Sequence, residues 1–211
     1  RYHETIVTRL ERHGLLNPRS ILAHSIHVDA NELEIIKKHD GRIAINVNSN
    51  MNNAVGLPNL KAFHDHKIKV ILGNDGLSSS MTSEYLSVYY SAHLREKAPT
   101  GFGLGQLTEM IEDTYAYAGG LLGVKLGKFE PGYEADLLMV PYQPPTAMTQ
   151  ENAFGHLFFG LFNSFKPKNV FVAGQPVVKN YEVTHKSLTV DCVKAKEVAS
   201  RLWDNIRNEE K

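Results

Sequence analysis

Short apolar runs alternate with stretches of helical periodicity in the first part of the chain. The runs at 20–24, 42–47 and 69–73 are almost wholly apolar, which is typical of strands covered on both faces of a sheet. Residues 29–39 and 83–96, which follow the first and last of these runs, carry apolar side chains at helical spacing. Strands that alternate with helices predict parallel βαβ units, and therefore an α/β fold.

Local signals predict where the helices begin. Asp29 and, three residues later, Glu32 form a capping-box pattern at the start of the second helix, and apolar spacing predicts further helices over 2–13 and about 106–117. We expect Thr82 or Ser83 to cap the helix over 83–96.

A polar stretch between the second and third strands lacks a helical pattern. We expect residues 48–56, NSNMNNAVG, to form a loop. Pro58 then fits the first position of a short helix, because proline has no backbone N–H to lose there.

The pattern changes after about residue 125, where strand and turn signals become denser. A strand is expected over 135–140, and residues 169–178 resemble a hairpin that turns at 173–175. The sequence therefore divides into an α/β part, residues 1–125, and a mostly β part with a terminal helix, residues 126–211.

Three side chains of this second part have structural explanations. Asp136 fits a turn or the start of a strand, Asp191 fits the cap of the terminal helix, and Trp203 falls at a helical packing position. None of them carries a chemical hypothesis.

Composition narrows the classes of function. The 211 residues are 42% hydrophobic and 22% charged, with 23 basic and 23 acidic side chains, which suits a soluble globular protein. The zero net charge and the lack of a basic stripe argue against nucleic acid as a partner. No apolar stretch approaches the roughly 20 residues that cross a bilayer.

The single cysteine and the first residues bear on compartment and completeness. Cys192 alone permits neither an internal disulfide nor a cysteine-based zinc site, and it fits a reducing, cytoplasmic compartment. Because the sequence begins with Arg1 and shows no signal-peptide pattern, we expect it to be a piece of a longer protein.

Polar side chains follow all three predicted strands of the α/β part. His24 ends the first strand, Asn46 ends the second with Ser49 and Asn50 just beyond, and Asp75 follows the third in VILGNDG. Functional groups gather at the carboxyl ends of parallel strands, so these side chains form a candidate site. The alternatives at this point are a helix-capping role for Asp75 and a hydrogen-bonded packing role for His24.

Other histidines fit the candidate site less well. His64 and His66 have the His-x-His spacing of many metal sites, but they precede the third strand and therefore belong to the opposite edge of the sheet. We expect a solvated helix end there, and a surface position for His27.

Several segments together resemble one family. ILAHSIHVD (21–29), NVNSNMNNAVGLPNL (46–60) and VILGNDG (70–76) are similar, in order and spacing, to strand-end motifs of the amidohydrolase superfamily's deaminases and chlorohydrolases. LGKFEPGYEADLLMV (126–140) and VFVAGQPVVKN (170–180) resemble the family's small β-sandwich. The likeness is greatest to SsnA-type aminohydrolases, near the triazine hydrolase, guanine deaminase and adenosylhomocysteine deaminase branch.

The resemblance assigns roles to the candidate residues. It implies that Asp75 is a metal ligand and accepts a proton from the attacking water, and that His24 hydrogen-bonds that water or the substrate. It assigns substrate binding to four polar residues: Asn46, Ser49, Asn50 and Ser79.

The resemblance also implies a fold and a cofactor that this chain only partly contains. Residues 1–125 would be strands six to eight of a (β/α)8 TIM-type barrel, and residues 126–211 a β-sandwich segment with a C-terminal helix. The cofactor would be a divalent metal, zinc or else iron, whose other ligands lie upstream of residue 1. His3 and Glu4 fall in the expected first helix, so we interpret them as non-catalytic.

The implied function is hydrolytic deamination of a small cyclic nitrogenous substrate by metal-activated water, in a full-length protein that is a cytoplasmic homo-oligomer. The isolated chain would be inactive. One alternative is a non-catalytic half-barrel that binds or supports a partner, or one part of a split enzyme. Another is a ring-opening amidohydrolase of the hydantoinase or imidazolonepropionase type.

Overall fold

The computed structural model describes residues 3–185 and 188–209, which divide into two compact units. The first unit runs to Tyr133 and resumes over Tyr142–Phe165. The second contains Glu134–Pro141 and continues from Lys166.

The first unit alternates helices with short strands, as the apolar pattern predicts. In chain order its elements are α1 (Ile6–Arg12), β1 (Ile21–Ala23), α2 (Ala30–Lys38), β2 (Arg42–Ile45), α3 (Val47–Asn52), α4 (Leu60–Asp65), β3 (Lys69–Leu72), α5 (Met81–Glu96), α6 (Leu104–Leu122) and α7 (Ala153–Gly155). A π-helical segment, His156–Leu161, and a 3-10 turn, Phe162–Ser164, follow α7.

The three strands form a parallel sheet in the order β1-β2-β3. Leu22 pairs with Ile43, and Ile45 pairs with Leu72, so the carboxyl ends of all three strands lie along one edge. On the outer side of β3, the Leu72 amide donates to the Thr114 hydroxyl of α6 at 2.9 Å. The α/β fold class is therefore confirmed, with an edge strand at β1.

A continuous apolar core packs against β2 and β3, whereas Ile21 and Ala23 of β1 are exposed, so the expected coverage of both faces is wrong for β1. Ile36, Ile43, Ile45 and Leu107 are fully buried, and they come from α2, β2 and α6. Phe158 is also fully buried, and it belongs to an aromatic cluster with α5. Each such side chain contributes about 1.5–3 kcal/mol by leaving water, so the sheet is held chiefly by burial.

The predicted capping box is present at α2. The Glu32 amide donates to the Asp29 carboxylate at 2.8 Å, and the Asp29 amide donates to Glu32 at 3.2 Å. Glu32 also accepts from the Val7 amide at 3.0 Å and so ties α1 to α2. The helix expected from residue 2 begins at Ile6 instead, because the Thr5 side chain caps it.

Three other local expectations are wrong. Residues 47–52 form α3 where a loop is expected. Asn59 caps α4 through the Ala62 amide, so Pro58 precedes the cap rather than following it. Ser80 caps α5, since its hydroxyl accepts from the Ser83 amide.

The second unit contains an antiparallel sheet in the order β4-β5-β6-β7. Its elements are β4 (Leu137–Met139), β5 (Asn169–Val172), β6 (Gln175–Lys179), β7 (Glu182–Val183) and α8 (Leu188–Glu209). Ala173 and Gly174 both have positive φ, 48° and 74°, as a two-residue hairpin turn requires, so the turn is one residue shorter than expected. Asp136 directly precedes β4, as the strand-start alternative expects, and its carboxylate accepts from the Ala173 amide of the hairpin turn at 2.7 Å.

The terminal helix differs from its prediction in two respects. It begins at Leu188, so Asp191 lies within its first turn rather than at its cap. Trp203 is 58% exposed, so the expected packing position is wrong. Among the helices described, none combines the length and the hydropathy that a membrane span requires.

Replacing Ile43 by Ala should lower the free energy of unfolding by about 2–5 kcal/mol, because it leaves a cavity at the centre of the sheet. The matched change Ile6→Ala, at a side chain that is 77% exposed, should cost about 0.5 kcal/mol or less. Urea unfolding followed by circular dichroism measures both. Equal losses would show that the core does not lie where the burial places it.

Candidate active site

The carboxyl edge of the parallel sheet brings the two principal candidate residues together. His24 directly follows β1, and Asp75 lies three residues past β3. The His24 Nε2 atom is 3.8 Å from the Asp75 Oδ2 atom. This distance is too long for a hydrogen bond but short enough for electrostatic coupling.

Both residues adopt a backbone conformation that most side chains avoid. His24 has a φ of 65°, Ser25 of 48° and Asp75 of 52°. The left-handed region is uncommon outside glycine and is maintained only where the surrounding structure imposes it. The His24 amide still donates to the Ala44 carbonyl at 2.8 Å, so the turn begins directly at the end of the ladder.

Gly73 in the VILGNDG segment allows two strand ends to approach closely. A Cβ atom at this position would overlap the Asn46 side-chain oxygen. Asn46 is buried, and its amide group donates to the Ala44 carbonyl at 3.3 Å. The glycine is therefore required by packing at the base of the site.

Asp75 is held by hydrogen-bond donors. Its Oδ2 atom accepts from the Ser49 hydroxyl at 2.7 Å, and its Oδ1 atom accepts from the Gly76 amide at 2.8 Å. The Ser49 bond, then the Gly76 bond, and then the nearby His24 ring hold the pKa of the Asp75 carboxyl below its usual range. Asp75 is therefore an anion at neutral pH, with nearly half of its side chain exposed.

His24 is oriented by Asn50, which is 1% exposed. The His24 Nδ1 atom lies 2.8 Å from the Asn50 Oδ1 atom, which only accepts, so Nδ1 carries a proton. In the neutral ring the lone pair is then on Nε2, the atom that faces Asp75. The Asn50 Nδ2 atom is buried and has no hydrogen-bond partner among the described residues.

These groups line a cavity of about 770 Å³. His24, Ser49, Asn50 and Asp75 form its polar wall, and α1 and β1 supply much of its apolar wall. The volume lies within the roughly 300–1,000 Å³ typical of small-molecule sites. His27 is exposed, as expected, and it also lines this cavity.

Two residues that the resemblance assigns to substrate binding lie apart from this wall. Asn46 is buried beneath the site, and Ser79 is exposed on the loop before α5; neither lines the cavity. The structure therefore brings together four of the six candidate side chains. Their roles in binding a substrate stay predictions.

The buried carboxylate of Glu84 is a site feature that sequence reasoning missed. Glu84 accepts from the backbone amides of Val47 and Asn48, at the start of α3. Its signal in the sequence is a polar stripe at helical spacing, in which Ser87 and Ser91 follow Glu84 at the third and seventh positions. Polar side chains on the helix face that packs against the protein core predict buried hydrogen bonds.

The residues around the cavity offer one ligand of a possible metal site. Asp75 supplies an anionic, accessible carboxylate, whereas a catalytic zinc ion usually has three protein ligands and a water. Within residues 3–185 and 188–209 no group of three His, Cys, Asp or Glu residues is placed to hold a metal. Asp75 can therefore be a ligand, but it does not complete a site with the other described residues.

The sequence does not favour His64, His66 or Glu4 as site residues, and the structure gives each of them a contact elsewhere. The His66 Nδ1 atom lies 2.7 Å from a Glu34 carboxylate oxygen, and His64 is exposed before β3. Glu4 accepts two hydrogen bonds from Arg12, at 2.7 and 3.2 Å. None of these three side chains lines the cavity.

Comparison with curated proteins gives relatives that are named as deaminases. The 5-methylthioadenosine/S-adenosylhomocysteine deaminase of Syntrophomonas wolfei is 28% identical over 206 residues, which are 95% of this chain and 47% of that protein. The chain thus spans about half the length of this relative.

Solved structures share the fold at lower identity. An adenosine deaminase from Xanthomonas campestris with bound zinc has a TM-score of 0.80 and 20% identity, covering 97% of this chain and 47% of that chain. A variant of atrazine chlorohydrolase from Arthrobacter aurescens, with zinc and atraton, has a TM-score of 0.71 and 20% identity, covering 93% and 44%. Likeness at this identity establishes the fold.

A profile of the amidohydrolase family matches residues 1–177, which is most of the chain. This match includes both segments that carry His24 and Asp75. The resemblance expected from the strand-end motifs is therefore confirmed, and the chain belongs to the amidohydrolase family.

Proposed function

We propose that this chain is part of a metal-dependent hydrolase that deaminates a ring carbon of a small purine-, pyrimidine- or triazine-like substrate. The observation that carries the proposal is the pairing of His24 with an anionic Asp75, 3.8 Å apart, at the carboxyl edge of a parallel sheet. The names of the relatives support it, since the Syntrophomonas wolfei protein is named as a 5-methylthioadenosine/S-adenosylhomocysteine deaminase.

The proposal includes a division of the chain. Residues 1–125 would be strands six to eight of a TIM-type barrel, and residues 126–211 part of a small β-sandwich with its terminal helix. The three-stranded sheet supports this assignment, because three strands do not close a barrel and the full barrel takes about 250 residues. A homo-oligomeric, cytoplasmic full-length protein completes the proposal, in keeping with the free Cys192.

Asp75 would be the metal ligand that this chain contributes, and the other ligands would come from polypeptide outside the present sequence. When bound, a zinc or iron ion lowers the pKa of a water molecule toward neutrality. Hydrogen bonds from Ser49 and Gly76 keep the Asp75 carboxylate anionic and directed into the cavity.

The two side chains have separate roles in the reaction. Asp75 accepts a proton from water as the water oxygen bonds to the ring carbon that carries the amino group. The proton passes to the departing nitrogen, the carbon–nitrogen bond breaks, and ammonia leaves. His24, whose Nδ1 proton is held by Asn50, faces this reaction through the lone pair of Nε2 and would accept a hydrogen bond from the attacking water.

Replacing Asp75 by Asn in the full gene product should lower kcat/KM for deamination by at least about 10²–10⁴-fold, because a positioned proton acceptor is lost. The matched change Asp65→Asn, at an exposed residue before β3, should leave activity unchanged. Ammonia release and metal content per chain are the measurements. Wild-type turnover by a metal-loaded Asp75→Asn protein would refute the assignment.

Replacing Asn50 by Leu should lower kcat by about tenfold to a hundredfold, part of the ~10²–10⁴-fold that a positioned acid or base supplies. Without the Asn50 oxygen, nothing selects the His24 tautomer that presents its lone pair to Asp75. Steady-state kinetics compare it with Asn52→Leu, at an exposed residue of the same helix. Equal kinetics in the two variants would contradict the orienting role.

The 211-residue chain by itself should bind zinc weakly and lack deaminase activity, because its described residues offer only one corner of a metal site. Calorimetric titration with zinc chloride checks the first point and ammonia release the second. Tight stoichiometric binding that disappears in the Asp75→Asn chain would show that the chain holds a complete site.

A further inference from the structure

Glu84 is a fully buried carboxylate that does not face the cavity. Its Oε1 atom accepts from the backbone amides of Val47 and Asn48, the latter at 3.3 Å. Among the described residues it has no cationic partner, and burial raises the pKa of its carboxyl. A buried acid is costly unless donors satisfy it, and here the donors are the first amides of α3.

Helix α3 has no cap of its own. It is six residues long, and Asn46, at its cap position, makes no side-chain hydrogen bond to the helix. The first amides of a helix have no partner within it, and a helix this short is unstable without outside support. Glu84 therefore supplies from α5 the acceptor that the local sequence does not.

The side chain of Asn48 strengthens the same attachment. Its Oδ1 atom accepts from the Ser87 hydroxyl at 2.5 Å, and its Nδ2 atom donates to the Ser83 hydroxyl at 3.4 Å. Both partners lie on α5, within one turn of Glu84. The start of α3 is thus fixed to α5 through its backbone and through a side chain.

The next two residues of α3 hold the site. Ser49 donates to Asp75 at 2.7 Å, and Asn50 accepts from His24 at 2.8 Å. Hydrogen bonds weaken steeply when their atoms are displaced, so a shift of α3 would release both contacts at once.

From this chain of contacts we propose that Glu84 is a positioning residue, which fixes α3 so that Ser49 and Asn50 hold Asp75 and His24. Its catalytic consequence rests on the function proposed above, but its structural consequence does not. Glu84 is placed to set the tautomer of His24 through α3, without touching a substrate.

The test is the ¹⁵N spectrum of histidine-labelled full gene product at one fixed pH, with the His24 signals identified by their absence in a His24→Gln protein. Wild type and Glu84→Gln, which keeps an oxygen at the capping position, should both show a protonated Nδ1. Glu84→Ala should lose that signature and show mixed tautomers. An unchanged His24 signal in folded Glu84→Ala would overturn the proposal.

Asn59→Ala is the control, because Asn59 also accepts from a helix amide, that of Ala62 in α4, and does not line the cavity. It should lower the melting temperature without changing the His24 signal. If both alanine variants change that signal equally, Glu84 is merely structural. If Glu84→Ala does not fold, Glu84→Asp, whose carboxylate is withdrawn by one methylene, must show the mixed signal instead, or the proposal fails.

Turnover separates this inference from the proposed function. In an active enzyme, Glu84→Ala should lower kcat by roughly tenfold to a hundredfold with little change in KM, the cost of a misplaced catalytic group. A gene product without deaminase activity whose His24 signal still depends on Glu84 would leave the positioning role standing and the proposed function refuted. Deaminase activity together with a His24 signal that does not change in the Glu84 variants would refute the positioning role and leave the proposed function standing.

Discussion

Two hydrogen bonds from adjacent residues of one short helix determine the geometry of the site. Ser49 holds Asp75 and Asn50 holds His24, although the two held residues follow different strands. Since β2 lies between β1 and β3, a helix that starts where β2 ends is placed to reach both neighbours. The parallel order of the sheet therefore makes the pairing of His24 with Asp75 possible, and α3 makes it specific.

The carboxylates near the sheet edge are stabilised chiefly by neutral hydrogen-bond donors. Asp75 accepts from a hydroxyl and a backbone amide, and Glu84 accepts from two amides at a helix start. A lysine or arginine in either place would bind the carboxylate directly and occupy its lone pairs. Neutral donors keep Asp75 anionic while leaving it accessible, as both a proton acceptor and a metal ligand require.

The sequence predicted those parts of the fold and site that depend on local patterns. Apolar runs identified the three strands, and the rule that chemistry gathers at strand ends selected His24 and Asp75 correctly as neighbours. Helix α3 was missed because its asparagines favour turns, while the acceptor that stabilises it lies 36 residues away on α5. The packing position expected for Trp203 is wrong for a related reason, since helical spacing alone does not say which face of a helix is covered.

The conformations of His24 and Asp75 also follow from contacts rather than from local preference. Both residues have positive φ, which histidine and aspartate rarely adopt. Hydrogen bonds fix both side chains: Asn50 bonds to the imidazole, and Ser49 and Gly76 bond to the carboxylate. All of these bonds are made within residues 24–76, and Glu84 supports the helix that provides two of them. The arrangement of His24 and Asp75 is thus a property of this chain's own packing, so under the proposed function the Asp75 carboxylate is in place before any other metal ligand.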